Sequence, residues 1–79
     1  MKSASELYAS LTKENTELAT KIIKVEKFMK TDDYRELTAK EQRLLVIQQN
    51  IMWAYADILL QRIDEAKDQE SAWQSFDPD

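Results

Sequence analysis

The side chains available here for acid–base or binding chemistry are carboxylates, lysines, arginines, tyrosines and amides. The chain has no His and no Cys. That excludes disulfides, thiolate nucleophiles, Ser-His triads, the usual zinc sites and histidine pH switches. It has no Gly either, so no glycine-rich loop can cradle a phosphate. Two carboxylate pairs remain, Asp32 with Asp33 and Asp64 with Asp68. A general acid needs an apolar enclosure, and both pairs fall at helix ends or on polar faces, where capping and solvation account for them. The reading is a non-enzyme without catalytic, metal or cofactor residues.

Binding chemistry is better represented. Lys21, Lys24, Lys27 and Lys30 recur every three residues and form a basic strip that winds slowly around a helix. Such a strip suits phosphates or an acidic partner, and equally a solvated face. Trp73 and Phe76 stand among acids in DQESAWQSFDPD, as a docking segment for a basic, grooved partner or as a frayed end. The net charge is −4, and residues 64–79 hold one Lys against six acids. The acidity belongs to the C-terminal segment. Direct nucleic-acid binding is not expected of such a chain.

The elements that must carry these residues are helices. Seventy-nine residues make one domain at most, and a domain this size buries only about 60% of its unfolded surface. With one Pro, at Pro78, and no Gly, tight β-hairpin turns lack their usual residues. The fold class is all-α: an antiparallel hairpin of two long helices, about 3–30 and 39–66 or beyond, with a short helical turn between. Ser3 with Glu6 and Thr38 with Glu41 have capping-box spacing, and Thr31-Asp32-Asp33 caps the turn. Helix one follows a coiled-coil heptad, with Tyr8, Ile22 and Met29 at a and Ala4, Leu11, Leu18 and Val25 at d. Asn15 takes the remaining a position, where a polar residue can fix register. Residues 1–66 form the hairpin domain, and 67–79 an acidic tail, partly helical or disordered.

The second helix is unusual. No charged residue lies between Arg43 and Asp57, in a chain that is 33% charged. Leu44, Leu45, Gln48, Ile51, Met52, Tyr55, Ile58, Leu59, Arg62 and Ile63 form one broad stripe. Val46, Trp53 and Leu60 form a second on nearly the opposite side. One neighbouring helix covers only one stripe. The expectation is a dimeric four-helix bundle or higher oligomer, with Val46, Trp53, Leu60, Asn15 and Gln48 at the interface. Gln48 is expected in the core stripe, and Gln49, Asn50 and Asp57 on the exposed edge. No apolar run reaches the ~18 residues that span a bilayer, and no signal-peptide pattern opens the chain. A soluble cytoplasmic protein without membrane contact is expected.

The pattern Phe28…Tyr34-x-x-Leu37-Thr38-x-x-Glu41-Gln42-x-Leu44-Leu45-x-x-Gln48-x-x-x-Met52-x-x-Tyr55-x-x-Ile58-Leu59-x-x-Arg62-Ile63 resembles small helical accessory proteins of bacteriophages and prophages, over residues 18–63. That resemblance implies action in a host bacterial cytoplasm on a host defence or regulatory protein. The segment YRELTAKE before a long helix also looks like the opening of the helical hairpins in phage cyclic-nucleotide sponges, oligomers that hold signalling nucleotides between subunits. Tyr34 and Arg35 or Lys40 would then contact base and phosphate; the longer first helix departs from that pattern. The first functional reading is therefore a module that binds a host protein. The alternatives are an oligomeric sponge for a cyclic nucleotide and a structural or assembly protein.

Overall fold

A computed structural model describes residues 3–76, with side chains through residue 68. It is all-helical: α1 spans Ala4–Phe28, α2 Asp32–Glu36 and α3 Ala39–Phe76. Each helix starts at a side-chain cap. Ser3 Oγ accepts from the Glu6 N–H at 3.2 Å, Thr31 Oγ1 from Tyr34 at 3.3 Å and Thr38 Oγ1 from Glu41 at 3.1 Å. These hydroxyls satisfy N–H groups that a helix start leaves without partners.

The chain reverses direction without a positive φ among the described residues, which is how a glycine-free sequence makes the corner. Thr31 (φ −94°, ψ 161°) and Leu37 (φ −66°, ψ 154°) redirect it in extended geometry. Polar contacts then staple the turn. Thr31 Oγ1 donates to the Phe28 carbonyl at 2.6 Å, and Gln42 Nε2 donates to the Leu37 carbonyl at 3.0 Å. Phe28 and Tyr34 meet edge to face, with ring centroids 6.1 Å apart.

α1 and α3 pack antiparallel as a layer one helix thick, 62 × 19 × 15 Å overall. With 38 residues α3 is about 57 Å long, against about 38 Å for the 25 residues of α1. The α1 side of the seam is the expected heptad, in which Leu11, Leu18 and Ile22 are buried and Tyr8, Asn15, Val25 and Met29 half-buried. The α3 side is Gln42, Leu45, Gln49, Met52, Ala56, Leu59, Ile63 and Ala66, spaced alternately three and four apart, all buried or half-buried. A 3.5-residue period is the coiled-coil seam. Ala56 and Ala66 (9% and 1% exposed) let the helices approach closely there, and Leu59 is the one large side chain with no exposure.

This seam corrects the broad stripe expected on α3. Leu45, Met52, Leu59 and Ile63 face α1, whereas Leu44, Gln48, Ile51, Tyr55, Ile58 and Arg62 are exposed. The two amides exchange roles. Gln49 is buried at 7% exposure and Gln48 lies outside. One α-helix covers a seam two positions wide per heptad, so a ten-residue stripe splits along it. Gln48 and Gln49 sit about 100° apart on α3, and moving the stripe's centre by one residue exchanges them.

Candidate functional site

The hairpin shows more large apolar side chains than it hides. Ile23, Leu44, Val46, Ile47, Ile51, Trp53, Tyr55, Ile58 and Leu60 are all between 41% and 62% exposed. They fall on two long sides of the layer, separated by the α1–α3 seam.

On one side α1 and α3 enclose an open groove of about 220 Å³, lined by Asn15, Ala19, Ile23 and Glu26 from α1 and by Trp53 and Leu60 from α3, with Ile22 and Ala56 at its floor. Heptad geometry places it there. Ala19, Ile23 and Glu26 flank the α1 seam at four- and three-residue spacing, and small Ala19 leaves the space that the Trp53 indole borders. The lining is mainly apolar with two polar groups, the Asn15 amide and the Glu26 carboxylate. Thr12 and Thr16, on the same flank of α1, donate their hydroxyls to the carbonyls of Tyr8 and Thr12 at 2.8 and 3.0 Å. Lys27, in the last turn of α1, follows Glu26 toward the corner.

On the opposite side Leu44, Gln48, Ile51, Tyr55, Ile58 and Arg62 run along α3 at spacings of four and three residues, all exposed. In the seam between the two sides lies Gln49. Its Nε2 donates to the Ile22 carbonyl at 2.9 Å, a hydrogen bond between the two helices, while its buried Oε1 has no partner. Gln49 is thus the buried polar residue of the seam, and Asn15, half-buried at its own seam position, also borders the groove.

The remaining sequence candidates separate by location. Tyr34 is engaged in the corner: its ring meets Phe28 and its hydroxyl points at the Gln42 carbonyl at 3.4 Å. Arg35 pairs with Asp32. Val46, Trp53 and Leu60 do share one side, with Trp53 and Leu60 in the groove wall. The side chains of Trp73 and Phe76 lie outside the described residues. Ala56 at the floor escaped the sequence reading, as did three residues of the groove's α1 wall: Ala19, Ile23 and Glu26. Their signal was a second 4–3 spacing beside the α1 heptad. No group of three or more acidic residues that could hold a metal occurs among the described residues.

A family model described as Sequestin matches residues 5–65, most of the hairpin. The chain belongs to the Sequestin family. Its match covers the corner, the groove, the exposed 44–62 side and the seam except for Ala66. No curated protein and no solved structure matches the chain. This Sequestin hairpin has no helix, among the described residues, that is long and apolar enough to cross a membrane.

Proposed function

We propose that the protein works by stoichiometric capture: it sequesters a small signalling nucleotide, of the cyclic di- or trinucleotide class, against the Asn15–Trp53 groove. The carrying observation is the groove itself, an apolar slot bordered by a half-exposed indole with an amide at one end. A flat heteroaromatic base suits it, because a base stacks on an aromatic face in a sequence-tolerant way and the Asn15 amide can donate and accept at the base edge. At about 220 Å³ the groove is smaller than the roughly 300–1,000 Å³ that encloses a drug-sized ligand. It takes one base. Sugar and phosphate then lie at the open mouth, clear of the Glu26 carboxylate, and Ile23, Trp53 and Leu60 serve as the groove's apolar wall.

The family's name, with its sense of sequestering, supports binding over turnover. The resemblance to phage accessory proteins gives the context: the captured signal is one that a host bacterium uses in defence or regulation. Tyr34 and Arg35 are assigned to the corner rather than to the ligand, because both already have partners there. Capture of a host protein on the same helical surface is the second reading, favoured by the large exposed apolar area.

The test is a thermal-shift and calorimetric screen with cyclic di- and trinucleotides, on the full chain. A ligand that binds the folded state raises the melting temperature in proportion to RT ln(1 + [L]/Kd). The expected result is a concentration-dependent rise that disappears in Trp53→Ala, with the nucleotide recovered unchanged. No shift with any nucleotide would overturn the small-ligand reading in favour of protein capture.

A further inference from the structure

We infer that the groove selects guanine: the base stacks on Trp53 while the Glu26 carboxylate accepts hydrogen bonds from guanine's N1–H and N2 amino group. The inference rests on the capture reading above and names the base which that reading leaves open.

The first observation is charge. Of the residues that line the groove, Glu26 alone is charged. Its carboxylate is exposed and takes part in no ion pair among the described residues. Toward a phosphate such a group is a cost, because like charges repel. Toward a base it helps only where the base presents donors, since a carboxylate accepts and does not donate.

The second is placement. Gln49 on α3 bonds to the Ile22 carbonyl of α1, and the helices run antiparallel. Trp53, four residues further along α3, therefore lies level with the turn of α1 that precedes Ile22. Glu26 lies one turn beyond Ile22, toward the corner. Side chains lean toward the N-terminus of their own helix, so Glu26 on α1 and Trp53 on α3 lean toward each other. Both border the same cavity, with Ile23 between them. Asn15 stands eleven positions from Glu26, about 16 Å along α1, too far for the two to share one edge of one base. An amide donates as well as accepts, so Asn15 tolerates any base at its end of the groove. Discrimination falls to Glu26.

The third is the match of donors. Among the four common bases of RNA, guanine alone sets two donors side by side on its Watson–Crick edge. They meet the two oxygens of a carboxylate as a bidentate, charge-assisted pair. Adenine and cytosine place one amino donor beside a ring-nitrogen lone pair, which the carboxylate repels. Uracil flanks its one N–H with two carbonyl oxygens. The glycosidic bond of guanine leaves from the five-membered ring, at the far end from N1. With the N1 edge on Glu26, the sugar and phosphates sit away from the carboxylate.

The experiment is isothermal titration calorimetry of the full chain with four probes. These are cyclic di-GMP, cyclic di-AMP, mixed cyclic GMP–AMP, and cyclic di-IMP, whose hypoxanthine lacks the N2 amino group. Because Glu26 is open to water, discrimination belongs at the lower end of what a bidentate base contact supplies, about tenfold. Cyclic di-GMP is expected to bind tighter than cyclic di-AMP by that factor, with cyclic di-IMP between them. The mixed dinucleotide should bind nearly as tightly as cyclic di-GMP, since the groove takes one base. Glu26→Gln keeps the side chain's length and helix preference. It should weaken cyclic di-GMP about tenfold, leave cyclic di-AMP no weaker, and leave the melting temperature of the free chain unaltered. Trp53→Ala removes the stacking face that every base shares and should weaken all four probes alike. Equal affinity for cyclic di-GMP and cyclic di-AMP, or a guanine preference that survives Glu26→Gln, would overturn the assignment and leave capture standing. Binding of none of the four would overturn it together with the capture of cyclic dinucleotides.

Discussion

Along one side of α3, Leu44, Ile51, Tyr55 and Ile58 fill four of six consecutive seam positions. Along the other, Val46, Trp53 and Leu60 alternate with Asn50 and Asp57. Both sides expose large apolar side chains to a similar degree, so exposure does not distinguish them. Nor does continuity, since each side carries two polar interruptions, Gln48 and Arg62 on one and Asn50 and Asp57 on the other. The residue across the seam does: on the 46–60 side the wide indole of Trp53 meets small Ala19 of α1 and leaves a local slot. Apolar surface of similar amount thus differs in what it can hold, and the neighbouring helix decides how.

The sharpest way to break this comparison is to remove what both sides share. Leu59, wholly buried beneath them, should cost about 2–5 kcal/mol when replaced by Ala, enough to lose the thermal transition at low protein concentration. Next come paired charge insertions. Tyr55→Lys should leave nucleotide binding intact, while Trp53→Lys should abolish it; calorimetry on both variants reads the difference. If the two variants had the same phenotype, the sides would be one surface.

Smaller effects sharpen the picture of the seam between the sides. Gln49→Leu should stabilise the hairpin by about 1 kcal/mol. It removes a buried oxygen without a partner, and the Ile22 carbonyl retains its helical position. A fall in melting temperature would mean that the amide's hydrogen bond to Ile22 outweighs that cost. Thr31→Ala should cost about 1 kcal/mol through the lost cap of α2, with no change in ligand affinity.

Much of the architecture could be read from residue spacing. Three caps, the α1 heptad and the all-helical class follow from local rules, because Ser3, Thr31 and Thr38 bond within their own first turns. The face that α3 turns to α1 did not follow. Its central stretch is apolar nearly all round, so periodicity alone permits several centres, and the choice falls to Ala56 and Ala66, whose small side chains bring the helices together. Gln49 was hidden for the same reason: an amide reads as surface until its partner, the Ile22 carbonyl 27 positions away, is known. The groove needed both helices in register, since neither half of its lining has a chemical signature alone. Tyr34 looked like a ligand contact because its second role, bracing Phe28, depends on the corner's geometry.

That corner has a kinetic consequence. Its contacts join residues within about fifteen positions of each other, from Phe28 to Gln42, and closing so short a loop takes on the order of 10–100 ns. A second copy at micromolar concentration, even at a fast association constant of 10⁷ M⁻¹s⁻¹, arrives on a timescale of about 0.1 s. Each chain therefore pairs α1 with its own α3 long before it can lend either helix to a neighbour. Any encounter of two copies is then one between finished hairpins, and an exchange of helices between them would have to undo the turn first.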